Sequence, residues 1–554
     1  MKKLIFIILI GIGIAFRLYQ VNSLPGGFFI DEINMAVDAK SLIENGTDQY
    51  GRAFPFVFED ATDYKLPGYI YAAALSYRFL GPTLLAIRLP SLLASIATIF
   101  LLGYFVRLLF PEKKDLSWIS MSMLSLSLFA IHFARIAYET TFATFFILLY
   151  LVALWQILNK VKLRLWIPLG LAALFVANWT YPAPRFILPV FTVLLLAIWF
   201  IRERKKKQVW LLLAGFMLAN VISFLPSLIF AKLDSRPLSY LMGNTDLKGW
   251  AYLTDRINSI STSLLRNWNL ELLFDKGVVF AYRHGTKENG IFLQFLFVPY
   301  LVGLWYVIKN FSIKQWSWMF LVTFTLIAGF PSALTSQTPY ATRIVPLMTI
   351  SLPIVISFGV LWIMERMAKQ KLLFQTFFWG CVTLLFVYQA GLFAHIYFVH
   401  FRTTSVAEFT PAQTRLGQFI RLQLQKNPSQ KIYFLNDHTC QNWGNDALHL
   451  WYFANLPSKD MITWNNAFKT ERFSNYRISP FDAYDEMVPP TGTVSGITLF
   501  PGYIDTKTMP TGSLSVYCGI HLGDLNLKDA HVVKIFYWLD DVKSDPYYVV
   551  TQRN

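Results

Sequence analysis

Charged residues and cysteines are both scarce in this sequence of 554 residues. Only 15% of the positions are charged, whereas roughly a quarter are charged in soluble proteins. The three cysteines, Cys381, Cys440 and Cys518, are too few and too scattered for a zinc cluster. What the chain does contain is 55% hydrophobic residues. They form runs of roughly 20 residues, long enough to cross a bilayer, which excludes the soluble, collagen, coiled-coil and disordered classes.

The net charge of +16 belongs to the apolar part of the chain. Residues 1–398 carry 35 Lys and Arg against 19 Asp and Glu, whereas residues 399–554 carry 14 of each. An excess that lies between hydrophobic runs sets orientation in a membrane and does not indicate nucleic-acid binding. We therefore predict a polytopic α-helical membrane protein with no nucleic-acid partner.

Eleven membrane-spanning helices are predicted. The first is an uncleaved span at residues 4–16, because no small-x-small cleavage site precedes Arg17. The other ten lie near residues 84–108, 117–133, 138–158, 165–181, 184–201, 209–232, 291–308, 317–335, 342–364 and 372–398.

The segment Lys65–Leu80 is apolar and aromatic, but it is short and interrupted by Pro67, Gly68 and Arg78. We interpret it as a helix that lies in the membrane interface. If it crossed the membrane instead, the basic loops that follow would face outward, against the positive-inside rule.

This topology places the N-terminus in the cytoplasm of a plasma-membrane protein and three segments outside it. The predicted transmembrane domain is 1–398, with outer loops 23–83 and 233–290, and a small soluble α/β or mixed-sheet domain follows at 399–554. In that domain, residues 431–435 and 531–537 are typical of strands, and residues 416–424 are typical of an amphipathic helix. A disulfide between its two cysteines and a pair of free buried thiols both remain open.

Carboxylates and cations near a bilayer are costly and indicate function, so those at the outer ends of spans are candidates. Asp31 and Glu32 follow the first predicted span, where the alternative is that Asp31 caps a helix. Arg135 and Glu139 lie in a short outer turn, where the alternative is a local ion pair. Lys65 begins the interfacial helix, where a bound anion or simple snorkelling would explain it.

Further cations lie on the predicted outer side, where the positive-inside rule disfavours them. Arginine in such a place indicates a fixed anion, of which phosphate is the best match. Two tyrosines also flank Lys65. These additional candidates for donor or substrate binding are Arg88, Arg343, Arg185, Arg283, His284, Tyr64 and Tyr69.

The order of these motifs resembles the membrane glycosyltransferases of the GT-C fold, family 39-like. The branch is that of the dolichyl-phosphate-mannose protein O-mannosyltransferases and the bacterial lipid A aminoarabinose transferase. The resemblance covers about residues 5–365. It rests on Asp31-Glu32, Lys65-Leu66-Pro67, residues 86–91 with Arg-Leu-Pro-Ser, residues 135–139, and residues 338–343 with Pro-x-x-x-Arg. Gly68 replaces the second proline of that family's lysine motif, and Glu139 stands where many relatives have Asp.

The resemblance implies an inverting transfer of a sugar, mannosyltransferase-like, from a polyprenyl-phosphate donor to a hydroxyl of a protein, lipid or glycan. Asp31 would be the base and Glu32 would orient the acceptor or the loop. Glu139 would be a second carboxylate that contacts the acceptor, a lysine or an optional divalent cation, with no cofactor required. Lys65, Arg88, Arg135 and Arg343 would bind the donor phosphate.

Two other functions are compatible with many spans and outer cations. A transporter or flippase for lipid-linked saccharides would usually hold its charges near the midplane and show paired repeats, and the sequence shows neither. A polymerase or ligase with a diphosphate-linked donor is the alternative within the enzyme class.

Overall fold

The structure is a computed structural model. It describes residues 2–60, 64–202, 214–223, 249–312, 314–335, 339–436, 443–463, 465–466, 492–494, 497–501, 509–518, 529–537 and 546–554. Much of the predicted span 209–232, the start of the outer segment 233–290 and Cys440 lie outside these residues.

The chain forms two compact units, and each unit contains two separate stretches of the sequence. The first unit holds Met1–Tyr19 and Pro90–Phe398, and the second holds Gln20–Leu89 and Val399–Asn554. The predicted outer loop 23–83 therefore belongs to the same unit as the C-terminal residues. The predicted functional division at residue 398 stays a prediction.

Helices dominate the described part of the chain. Four of them are labelled α1 (Lys2–Leu18), α2 (Ile30–Asn45), α3 (Pro67–Leu80) and α4 (Leu84–Leu109). The other α-helices are Lys114–Ser125, Leu128–Ala134, Glu139–Leu158, Leu163–Asn178, Pro184–Arg202, Ala214–Ser223, Gly249–Arg266, Leu270–Phe274, Phe297–Asn310, Trp316–Ala328, Phe330–Ala333, Ala341–Pro346, Leu352–Met367, Leu372–His395, Phe401–Thr404, Val406–Phe409, Pro411–Lys426 and Trp443–Phe453.

Five helical segments within the described residues are long and apolar enough to cross a membrane. A sixth is counted if Lys114–Ser125 and Leu128–Ala134, which meet at a bend of 63°, form one span. The five are Leu84–Leu109, Glu139–Leu158, Trp316–Ala333, Ala341–Met367 and Leu372–Thr404.

The predicted number of eleven spans is not confirmed. A helix needs about 20 residues to cross the hydrocarbon core, and several of the predicted spans form shorter helices. Leu163–Asn178 has 16 residues and Phe297–Asn310 has 14. The segment interpreted as interfacial forms α3, a helix of 14 residues that is not among the candidate spans.

The candidate spans differ in how far other parts of the protein bury them. The most apolar stretch of Ala341–Met367 is 94% buried, so other parts of the protein surround this segment. The corresponding stretch of Leu372–Thr404 is only 17% buried, and its apolar side chains are exposed. An apolar helix with so little protein contact is expected to face lipid.

The C-terminal residues build a small mixed sheet, as the sequence predicts. The strands are β3 (Ile432–Asn436), β4 (Gly492–Val494), β5 (Ile497–Pro501), β6 (Leu514–Cys518), β7 (Ala530–Tyr537) and β8 (Pro546–Arg553). They lie in the order β4-β5-β3-β6-β8-β7. The central strand β3 is parallel to β5 and β6, and β8 is antiparallel to β6 and β7.

Three local predictions in this region are confirmed. Residues 431–435 and 531–537 fall on β3 and β7, and the amphipathic pattern at 416–424 falls within the helix Pro411–Lys426. Cys518, at the end of β6, is disulfide-bonded, whereas Cys381 is free and exposed. A separate hairpin pairs β1 (Phe58–Glu59) with β2 (Tyr64–Lys65).

Candidate functional site

The predicted site residues fall into two groups, one in each unit. Asp31, Glu32, Tyr64, Lys65, Tyr69 and Arg88 belong to the second unit, whereas Arg135, Glu139, Arg185, Arg283, His284 and Arg343 belong to the first. Each group is described by itself.

The pair Asp31 and Lys65 forms the centre of the first group. Asp31 is the second residue of α2, and its Oδ1 lies 3.1 Å from Nζ of Lys65, the last residue of β2. The Asp31 side chain is 35% exposed and that of Lys65 is 12% exposed. A carboxylate and an ammonium group thus meet in contact, and the carboxylate remains accessible to a ligand.

The helix-cap interpretation of Asp31 is wrong. The residue at the cap of α2 is Phe29, and the carboxylate that folds back onto the Phe29 amide belongs to Glu32, at 3.4 Å. Asp31 lies within the first turn, where its negative charge is favoured by the helix dipole. Its carboxylate is directed to Lys65.

Glu32 and Arg88 form a fully buried ion pair. Nε of Arg88 donates to Oε1 of Glu32 at 2.9 Å, and Nη2 donates to Oε2 at 3.0 Å. The same guanidinium donates to the carbonyl oxygens of Pro25, at 2.8 Å, and Gly27, and it lies over the ring of Phe28. Arg88 therefore ties the turn before α2 to the first residues of α4.

The two tyrosines that flank Lys65 have different surroundings. Tyr64 pairs with Glu59 in the β1–β2 hairpin and is half-buried. Tyr69 is fully buried, and its hydroxyl donates to the carbonyl oxygen of Ile87 at 2.8 Å. The Tyr69 hydroxyl thus holds α3 against the start of α4.

In the other unit, Arg135 closes the end of α1. Its Nη1 donates to the carbonyl oxygens of Phe16, at 2.7 Å, and Tyr19, at 2.6 Å. Its guanidinium also lies 5.2 Å from the ring centres of Tyr397 and Phe398. The last carbonyl groups of a helix lack partners within the helix, and a buried cation satisfies them well.

Glu139 and Arg343 have a tyrosine in common. Glu139 is the first residue of the helix Glu139–Leu158 and is largely buried. The hydroxyl of Tyr181 lies 2.6 Å from Oγ1 of Thr342, and Glu139 and Arg343 both act on Tyr181 electrostatically. The Arg343 guanidinium lies 5.0 Å from the ring centre of Tyr340.

His284 joins this group through aromatic contacts. Its Nδ1 lies 3.0 Å from the hydroxyl of Tyr138, and its ring centre lies 6.4 Å from that of Tyr340. The carbonyl oxygen of Arg283 accepts hydrogen bonds from Tyr138 and from Nε2 of His132, each at 3.0 Å. Within the first unit, the structure thus places Glu139, His284 and Arg343 around a cluster of tyrosines.

Arg185 has a local role at the end of another helix. Its Nε donates to the carbonyl oxygen of Asn178, the last residue of Leu163–Asn178, at 2.8 Å. This bond closes a helix end in the same way as Arg135 does.

Sequence reasoning missed Tyr138, Tyr181 and Tyr340 as members of the site. Tyr138 and Tyr340 lie within the motifs 135–139 and 338–343, and Tyr181 lies four residues before Arg185, so the available signal was proximity to a candidate charge. Tyrosine is common in this chain, with 27 copies, and proximity alone could not separate these three.

A metal site does not emerge among the described residues. No group of three or more His, Cys, Asp or Glu side chains there is placed to hold a metal ion. Among the described residues, Glu139 is therefore not part of such a group.

No protein-family model matches the sequence, and a search of curated proteins finds no significant match. Solved structures do resemble the fold. That of ArnT from Cupriavidus metallidurans in the apo state has a TM-score of 0.44 and 13% identity, covering 98% of this chain and 97% of that one. The same protein bound to undecaprenyl phosphate has a TM-score of 0.42 at 13% identity, with the same coverage.

The oligosaccharyltransferase AglB from Archaeoglobus fulgidus, in complex with an inhibitory peptide and a dolichol-phosphate, has a TM-score of 0.48 and 12% identity. The match covers 81% of this chain and 63% of that one, so this chain spans less than two thirds of AglB. ArnT, a lipid A aminoarabinose transferase, and AglB are both glycosyltransferases of the GT-C fold. The TM-scores of these three matches are below 0.5.

Proposed function

We propose that this protein is an inverting glycosyltransferase. It would transfer a sugar from a polyprenyl-phosphate-linked donor to an acceptor hydroxyl outside the cytoplasm. The observation that carries the proposal is the contact between Asp31 and Lys65 at 3.1 Å, which puts a candidate base beside a candidate phosphate ligand.

The chemistry of such a transfer needs these two groups. The acceptor oxygen attacks the anomeric carbon while the bond from that carbon to the phosphate oxygen breaks, and the phosphate leaves with the electron pair. Asp31 takes the proton of the acceptor hydroxyl, and Lys65 stabilises the negative charge of the departing phosphate. A phosphate leaving group needs no strong general acid, so one carboxylate suffices for the proton transfer.

The contacts distinguish among the four cations predicted to bind phosphate. Arg88 is already bonded to Glu32 and to two carbonyl groups, and Arg135 is bonded to the end of α1. We assign a phosphate role to Lys65, and we assign Arg88 and Arg135 to holding the backbone. A phosphate role for Arg343 stays a prediction from its sequence motif. Glu32 accordingly positions the Asp31 turn, whereas an acceptor role for Glu139 stays a prediction from its sequence motif.

The proposed location is a plasma membrane, with the C-terminal residues outside the cytoplasm. Five apolar helices of sufficient length support a membrane location. The disulfide at Cys518 supports an oxidising compartment for the C-terminal sheet. The donor would then approach from the bilayer, and the acceptor would be a protein, lipid or glycan of the cell envelope.

A transfer assay in proteoliposomes tests the proposal against its alternatives. The purified protein is incubated with undecaprenyl-phosphate or dolichyl-phosphate sugars labelled in the sugar, together with an envelope extract as acceptor. We expect labelled product with inverted anomeric configuration. Label that only changes leaflet would contradict the proposal in favour of a flippase, and product formed only from diphosphate-linked donors would indicate a polymerase or ligase.

The variant Lys65→Ala tests the phosphate role of Lys65 in the same assay. It should raise the KM for the polyprenyl-phosphate sugar more than the KM for the acceptor, because the lost ammonium group contacts the donor phosphate. Equal effects on both substrates would indicate that Lys65 only holds Asp31 in place.

A further inference from the structure

The backbone bends sharply at Thr410, where the helix Pro411–Lys426 begins. Thr410 has φ +43° and ψ +57°, in the left-handed region. Threonine branches at Cβ and is poorly suited to this region, which glycine and asparagine enter far more readily. Such a residue persists only where its surroundings impose the conformation, and it is often found at functional sites.

The Thr410 hydroxyl does not make the hydrogen bond that is usual for a threonine at a helix cap. A threonine at a helix cap usually accepts a hydrogen bond from an amide in the first turn of its own helix. Thr410 makes no such bond. Its Oγ1 donates instead to the carbonyl oxygen of Phe28, at 3.0 Å.

His449 completes the arrangement. Its Nε2 lies 3.2 Å from Oγ1 of Thr410. The only proton of the hydroxyl goes to Phe28, so Nε2 must carry a proton and donate it to Oγ1. The ring of His449 is fully buried and stacks on Phe453, which fixes its orientation.

The backbone around Phe28 fits closely against the same bend. A Cβ atom added at Gly27 would overlap the carbonyl oxygen of Phe409 and would lie 2.8 Å from that of Thr410. The Phe28 ring stacks on Phe453, with ring centres 5.4 Å apart. Only glycine permits this approach of the two chain segments.

The contacts therefore hold the turn that leads into α2. Phe28 directly precedes Phe29, the cap of α2, and Asp31 follows two residues later. The carbonyl group of Gly27 is held by Arg88, and that of Phe28 is held by Thr410. Both restraints act within three or four residues of the Asp31 carboxylate.

We propose that Thr410 and His449 are positioning residues for Asp31. Through them, the C-terminal segment takes part in the transfer step as well as in any binding of acceptor. This inference rests on the proposed function, because it takes Asp31 as the base. Displacement of the base by about 1 Å can slow the catalysed reaction on the order of 100-fold.

The test compares Thr410→Val, which removes the hydroxyl and keeps the shape, with Thr410→Ser, which keeps the hydroxyl. Thr414→Val is the matched control. Thr414 lies one turn further along the same helix and is also buried, and within the described residues its hydroxyl has no hydrogen-bond partner. His449→Leu and His449→Gln form a second pair, since the glutamine amide can donate in place of Nε2.

Two measurements are made on each full-length variant: hydrogen exchange of amides 25–33 by mass spectrometry, and kcat and KM with a labelled undecaprenyl-phosphate sugar. We expect Thr410→Val and His449→Leu to speed exchange at least about 10-fold in this turn. We expect kcat to fall at least about 10-fold with donor KM changed less than about 2-fold. Thr410→Ser, His449→Gln and Thr414→Val should stay close to the unmodified protein.

Exchange in Thr410→Val that equals that in Thr414→Val would overturn the positioning role. Faster exchange with unchanged kcat would also overturn it, because the restraint would then not serve transfer. Absence of turnover in the unmodified protein would instead contradict the proposed function, and the exchange data would still decide whether Thr410 holds the turn. If Thr410→Val fails to fold, His449→Leu gives the same comparison with Thr410 intact.

Discussion

At the scale of single residues, two adjacent carboxylates of this protein have different surroundings. Asp31 keeps an accessible carboxylate beside Lys65, whereas the adjacent Glu32 is fully buried against Arg88. The sequence shows two neighbouring carboxylates and cannot show which one is enclosed. That depends on Arg88, which is 56 residues away along the chain.

The buried pair gives a prediction about stability. Arg88→Met should lower the free energy of unfolding by about 3–5 kcal/mol, because it leaves the Glu32 carboxylate buried without its partner. The double variant Glu32→Gln with Arg88→Met should be less destabilised than the sum of the single variants. Denaturant unfolding in detergent measures this, and effects that add within about 0.5 kcal/mol would show that the two residues are not coupled.

Asp38 gives a prediction about pH. Burial raises the pKa of this carboxyl well above its usual range, although the amide of Gln49 opposes the shift by donating to it. The native state then holds a proton that the unfolded state releases above about pH 4. Stability from this group is therefore present at low pH and is lost as the pH rises toward the folded pKa.

Asp38→Asn should remove this loss of stability at higher pH. The asparagine side chain stays neutral, and its oxygen can still accept a hydrogen bond from the amide of Gln49. We expect the Tm of Asp38→Asn to fall less between pH 4 and pH 8 than that of the unmodified protein. Parallel Tm profiles would contradict a raised pKa at Asp38.

At the scale of elements, α3 combines a buried face with an apolar exposed one. Leu75 is 61% exposed and Phe79 is 77% exposed, one turn apart on the same side of the helix. The helix ends at Leu80, and α4, a candidate membrane span, begins at Leu84. We expect so short a connection to keep the exposed face of α3 at the edge of the bilayer, as an interfacial helix requires.

Spin labels test the position of α3. Labels are attached at Leu75→Cys and Phe79→Cys after Cys381, which is exposed and free, is replaced by serine. We expect both labels in proteoliposomes to be more accessible to oxygen than to a water-soluble nickel complex. Leu422→Cys, 55% exposed on the helix Pro411–Lys426, is the matched control and should show the reverse. Preference for nickel at Leu75 and Phe79 would place α3 in water.

Element type was predicted from local pattern more reliably than element length or contact. Long apolar runs and alternating strands carry their own signal, so α4, β3 and β7 were predicted near their observed bounds. The bend that divides Lys114–Ser125 from Leu128–Ala134 has no comparable signal in the sequence. It is accompanied by Ser127, whose hydroxyl caps the second helix.

At the scale of the whole molecule, the sequence predicted a two-part chain, but the units interleave. Residues 20–89 belong to the same unit as the C-terminal sheet, because side chains such as Thr410 and Tyr452 bond to Phe28 and Thr83. Contacts between residues more than 350 positions apart leave no periodic trace in a single sequence. The scarcity of charged residues and the 55% hydrophobic content, in contrast, are sums over many residues and indicated a membrane protein from composition alone.

The proposed sugar transfer depends most on Asp31 as its base. The direct measurement is turnover of a labelled polyprenyl-phosphate sugar by Asp31→Asn in proteoliposomes, with Asp38→Asn on the same helix as the control. We expect Asp31→Asn to insert normally and to lose about 10²–10⁴-fold in kcat, while Asp38→Asn stays near the unmodified rate. Near-normal turnover by a correctly inserted Asp31→Asn protein would contradict the role of Asp31 as the base.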